Sequence, residues 1–175
     1  VGNFLQALSC IAIARRLWIS LHGRNHILVA ESSVSIGAVY WQMGKLNWAI
    51  KEIKKGIRLM RIVPGGYAKL PDTIESLSSL YYLKNDFQKA LLTLKDAYIS
   101  RINMYGVYHI DVCATIIKIG HVLREQGDIH KSLHVLLKAL SIQRKVIGEN
   151  HLEVATTLTQ IGDLYLLMNK TEQAI

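Results

Sequence analysis

Side chains of matching size and chemistry return along this chain at steps of 41 or 42 residues, and that recurrence limits the fold more than any single motif does. The anchors are His26, Tyr67, His109 and His151. They follow Gly23-Arg24-Asn25, Pro64-Gly65-Gly66, Gly106-Val107-Tyr108 and Gly148-Glu149-Asn150. Ten and eleven residues beyond each anchor lie Ile36-Gly37, Leu77-Ser78, Ile119-Gly120 and Ile161-Gly162, and three further on come Tyr40, Tyr81, Leu123 and Tyr165. A turn is expected next, at Gly44-Lys45, Asn85-Asp86, Gly127-Asp128 and Asn169-Lys170. Small residues then recur at Ala49, Ala90, Ser132 and Ala174, and seven later at Gly56, Ala97 and Ala139, with Ile53, Leu94 and Leu136 between the two columns. Gly2, Ala7, Ile11 and Ala14 extend the same pattern one step back.

Within a step the apolar residues fall at three- and four-residue spacing, as in Val112, Ile116, Ile119, Val122 and Leu123, which is the signature of an amphipathic helix. Each step reads as two helices. The Gly or Asn at each break permits the positive φ that ends a helix, and Asp86 and Asp128 are placed to cap the next one. The small columns let neighbouring helices approach closely, where larger side chains would force them apart. One hairpin cannot bury its apolar stripe alone, so hairpins must stack. The expected fold is all-α, an α-solenoid of antiparallel helical hairpins. Its parts are residues 1–22, the second helix of a preceding repeat; 23–63, 64–105 and 106–147, three full repeats; and 148–175, an incomplete fourth.

With 50% hydrophobic residues and two prolines among 175, the chain has enough apolar surface for a core. Cys10 and Cys113 fall inside apolar helical patterns and read as reduced core residues, which points to a cytoplasmic, reducing location. The apolar stretch from Phe4 to Ala14 is too short for a membrane span. A start without Met and a stop inside a helical pattern, Glu172-Gln173-Ala174-Ile175, lead us to expect a piece of a longer protein.

Leu77-Ser78-Ser79-Leu80-Tyr81-Tyr82-Leu83-Lys84-Asn85-Asp86-Phe87-Gln88-Lys89-Ala90 resembles the hallmark string of the tetratricopeptide repeat. The usual repeat has about 34 residues, and the longer step here, together with the run from Ala139 through Gly148-Glu149-Asn150-His151 to Ala155, resembles the repeats of kinesin light chains. The resemblance implies a right-handed superhelix whose first helices line a concave, partner-binding groove. It departs from the light-chain pattern nine residues after each anchor, where that family commonly carries Asn and this chain has Ser35, Ser76, Lys118 and Gln160.

On that reading the groove is lined by Ser35, Ala38 and Trp41, with Glu31, Val34 and Gln42 beside them; by Ser76, Ser79 and Tyr82, with Asp72 and Glu75; by Lys118, His121 and Arg124, with Glu125; and by Gln160 and Asp163, with Thr159 and Leu166. Trp41 and Tyr82 suit an apolar anchor, and Lys118 and Arg124 a carboxylate. A second cluster, the basic patch Lys51, Lys54, Lys55, Arg58 and Arg61 with Lys45, faces only Glu52 and carries much of the net charge of +8. It suits an acidic protein segment, nucleic acid or an anionic membrane, against the plain reading of a solvated helix face. Nucleic acid is the weaker reading, because no aromatics interleave these cations.

No phosphate-binding glycine loop, nucleophile elbow, CxxC or HExxH occurs. His130 and His134 share a helix face without further ligands, so neither a metal nor a cofactor is expected. His26, His109 and His151 suit positions at the start of each first helix. The expected function is a non-catalytic scaffold that binds a protein or peptide. The alternatives are a structural subunit of a larger complex and the regulatory arm of an enzyme.

Overall fold

The computed structural model describes residues 2–173. Among them are eight α-helices and no strand: α1 (Gly2–His22), α2 (Ile27–Gln42), α3 (Leu46–Met60), α4 (Leu70–Leu83), α5 (Phe87–Tyr105), α6 (Ile110–Glu125), α7 (Ile129–Ile147) and α8 (Leu152–Gln173), with one 3-10 turn at Gly66–Lys69. The chain divides after Asp86 into two compact units.

The breaks follow from backbone chemistry. Gly23, Gly44, Gly65, Gly106, Gly127 and Gly148 all have positive φ, and Asn85, at φ 56°, is the one other such residue among the described residues. These positions recur every 20 or 21 residues. All but Gly65, which precedes the 3-10 turn, stand just past a helix end, in a conformation that most L side chains strain to adopt. Asn tolerates that conformation better than most.

In the first unit α1 packs on α2, α2 and α3 form the most extensive hairpin, and α3 packs on α4. Ala49, Ile53 and Gly56 are all buried on α3. The close approach is real: a Cβ on Gly37 would stand 2.6 Å from Ile53 Cγ1, and one on Gly56 would stand 2.7 Å from Val34 Cγ2. In place of a histidine, the second repeat begins with the 3-10 turn. A Cβ on Gly66 would run into the Met60 carbonyl, which explains why two glycines stand together here.

In the second unit α5 packs on α6, α6 and α7 form a hairpin, and α7 packs on α8. Val112, Cys113, Ile116, Ala139 and Ile142 form one apolar cluster. Leu136, Leu140, Val154, Ile161 and Leu164 form the next. Gly120 meets Leu136 across the hairpin, and Ser132 donates to the Gly120 carbonyl at 2.7 Å. The small residue at this column therefore supplies a hydrogen bond as well as space.

Several expectations need correction. Asn169-Lys170 is no turn: α8 runs on to Gln173, because no second helix packs beyond it among the described residues to reward a break. For the same reason Tyr165 and Gly162 are exposed. Ala174 lies outside the described residues. Asp128 does not cap α7 with its side chain; its carboxylate instead accepts from Lys131 Nζ at 2.9 Å. Cys10 is exposed while Cys113 is buried, and both are free thiols. Helix α1 continues past Ala14 to His22, which makes it long and apolar enough to cross a membrane by length and composition alone. Against that, it packs on α2 and its Arg15 reaches Glu52 of α3 at 3.6 Å.

Candidate functional site

The first helices of the hairpins are held at their starts by histidine. His26 Nδ1 accepts from the Leu28 amide at 3.3 Å, His109 Nδ1 from Asp111 at 3.2 Å, and His151 Nδ1 from Glu153 at 3.2 Å. An imidazole acceptor thus does the work usually given to Ser or Asp. At the second repeat, Lys69 occupies the cap position without a side-chain bond to the helix amides, and Pro71 follows in the first turn. Here Lys69 Nζ reaches back to Glu31 Oε1 on α2 at 2.6 Å.

With the helices so placed, Ser35, Ala38 and Trp41 are exposed on α2, and Trp41 keeps 42% of its surface open. On α4, Ser79 is exposed and Ser76 and Tyr82 are half-buried. On α6, Lys118 is exposed and His121 and Arg124 are half-buried; on α8, Asp163 is exposed and Gln160 is half-buried. Two flanking residues do not line an open surface. Val34 packs toward Gly56, and Glu75, 6% exposed, lies within the first unit. Arg124 is already engaged, its Nη2 donating to Glu125 Oε1 at 2.9 Å and its Nε at 3.2 Å. A partner carboxylate there would have to compete with Glu125.

The basic residues of α3 are all exposed but do not share one face. Lys54 lies over the Tyr81 ring at 5.6 Å, toward α4, and Lys51 over Trp48 at 5.4 Å. Lys55 and Arg58 turn toward α1. Glu52, the acidic residue of this helix, takes Lys55 at 3.8 Å and Arg15 at 3.6 Å. Arg15, Arg16 and Arg24, which lie outside the α3 stripe in sequence, thereby join Lys55 and Arg58 around one cleft. Their spacing carries no motif; only the packing of α1 on α2 brings them there.

His130 and His134 are both exposed on α7. Among the described residues no group of three or more His, Cys, Asp or Glu side chains is placed to hold a metal.

Residues 111–175 match the tetratricopeptide repeat model. Over that stretch the repeat is tetratricopeptide-like. The chain is similar in fold to the tetratricopeptide-like repeats of a kinesin light chain from Podosopora anserina, with TM-score 0.79 and 13% identity over 99% of this chain and 82% of that one. It is also similar to BtubC from P. vanneervenii, with TM-score 0.74 and 15% identity over 94% and 66%. A third likeness is to the apo form of RapI, with TM-score 0.80 and 15% identity over 99% and 46%. A fourth is to a Rap conjugation gene regulator of the plasmid pLS20 solved in complex with the Phr* peptide, with TM-score 0.65 and 16% identity over 99% and 46%. In sequence the chain is 24% identical over 145 residues to a clustered mitochondria protein homolog of Brugia malayi; the match takes in 82% of this chain and 9% of that protein's length. The helical-repeat fold is thus common to this chain and the four solved structures.

Proposed function

We propose that this tetratricopeptide-like chain is a non-catalytic interaction scaffold that binds a peptide or helix of a partner protein along the open faces of the first helices within each unit. The observation that carries the reading is Trp41. A large amphipathic ring left 42% exposed on a first helix, beside Ser35 and Ala38, is the kind of rigid anchor that interfaces use. In the same unit Ser79 on α4 supplies a polar contact, and in the second unit His121 and Arg124 on α6 and Asp163 on α8 supply a polar set of their own. The Rap regulator of similar fold, solved with a peptide, supports the choice of ligand class. Free thiols at Cys10 and Cys113 support a reducing, cytoplasmic site of action.

A pulldown comparing the wild-type chain with the double variant Trp41→Ala/Arg124→Glu tests this. The second change places two carboxylates side by side at Glu125 and removes the cation. Loss of partners from the variant, with its melting temperature unchanged, is the expected result. Retention of every partner sinks the groove reading and favours the runner-up, a subunit packed inside a larger assembly. That runner-up draws on the apolar side chains open on α1, where Leu5, Ile13, Leu17 and Leu21 are all exposed.

A further inference from the structure

The cleft in the first unit is distinct from the first-helix faces. It has a volume of about 710 Å³ and is bounded by α1, the start of the α1–α2 connection, α2 and α3. That volume falls within the range of roughly 300–1,000 Å³ typical of ligand sites. Helix α2 contributes Val29 and Ile36 to it. At about 100° per residue, Ala38 stands about 180° around the helix from Val29. The cleft therefore opens on the side of α2 opposite the surface proposed above.

Its chemistry is one-signed. Five of its eleven lining residues are cationic and none is acidic, so any ligand it favours carries negative charge. Glu52 neutralises only part of this set, through Arg15 and Lys55. Arg16, Arg24 and Arg58 form no ion pair among the described residues, and all three are exposed. Between the cations the floor is aliphatic, with Ile19 from α1, Ile36 from α2 and Leu59 from α3.

We propose that this cleft is a second binding site, for an acidic segment of a partner protein that seats an aliphatic side chain between its carboxylates. Four of the five cations are arginines, whose planar forks match carboxylates two bonds at a time. The aliphatic floor rewards an apolar side chain that a bare polyanion lacks. No aromatic ring lines the cleft, so it offers no platform on which successive bases would stack. The charge and the floor together select a peptide.

The test uses the 175-residue chain and fluorescence anisotropy with three labelled probes: a short peptide of Glu-Glu-Leu triplets, the same peptide with Ser for Leu, and a single-stranded oligonucleotide. The Leu-bearing peptide is expected to bind tightest at physiological salt. Arg16→Gln/Arg58→Gln is expected to weaken it by about tenfold or more, while Trp41→Ala leaves it unchanged. Arg24→Gln, in the connection and outside any helix, provides a second variant should the double change disturb folding. Equal binding of the Ser peptide, tighter binding of the oligonucleotide, or full affinity in the arginine variants overturns the proposal. Because Trp41 is silent here, failure of this site and failure of the first-helix surface are read separately.

Discussion

Arg101 shows how much a single buried cation can hold. It is 7% exposed on α5, and its Nη1 donates to the Asp111 carbonyl at 2.9 Å and to Thr115 Oγ1 at 2.7 Å on α6. One side chain thus ties two helices of the second unit together at a charge-assisted bond. Arg101→Met keeps the length and removes the donors; it should cost about 1.5–3 kcal/mol, read as a lower urea midpoint with the slope unchanged. Nothing in the sequence marks this arginine, because its partners are a backbone oxygen and a threonine ten and fourteen residues on. Cys113 is a second case. Burial, then the charge of Glu153, pushes its thiol up from 9.0 to about 11. The folded state therefore holds this proton more tightly than the unfolded chain. Its contribution is fully present below pH 9 and is lost as pH rises from about 9 to about 11. Urea melts over that window should show a fall in stability that is smaller in Cys113→Ala. At neutral pH an alkylating reagent should label Cys10 and spare Cys113.

At the scale of the helix, the recurrence of small residues was the most legible feature. Ala49, Gly56, Ala90, Ala97, Ser132 and Ala139 are all buried, since only side chains of that size fit where helices approach closely. The histidine caps were legible as a column, but their chemistry was not: that Nδ1 accepts an amide hydrogen depends on a rotamer, and a sequence carries none. The limits show equally clearly. Cys10 obeys the apolar pattern of α1 yet faces outward, because periodicity states which residues share a face and not what covers it. Gly56→Leu tests the packing argument. The new side chain would meet Val34 and the Ala30 carbonyl, and it should destabilise the first unit by about 1–3 kcal/mol, measured by thermal melting. An unchanged melting temperature would mean that α2 and α3 separate more readily than their fit suggests.

Taken whole, the molecule carries a net charge of +8. Sequence reading placed much of this on α3; packing redistributes it, sending Lys54 toward Tyr81 and gathering Arg15, Arg16 and Arg24 with Lys55 and Arg58. That regrouping was hidden because it joins residues from three elements through tertiary contact. Capture of an acidic partner should weaken several-fold between low and physiological salt as these fields are screened. Affinity that holds steady across that range would count against an electrostatic contribution.

Within each unit, extensive packing runs from one helix to the next in chain order. An architecture of that kind has no keystone. A lesion in one helix weakens the neighbours packed on it in that unit and fades beyond them, so whole hairpins become the natural coin of evolutionary change: a lineage can lengthen or shorten such a chain block by block and keep what remains intact.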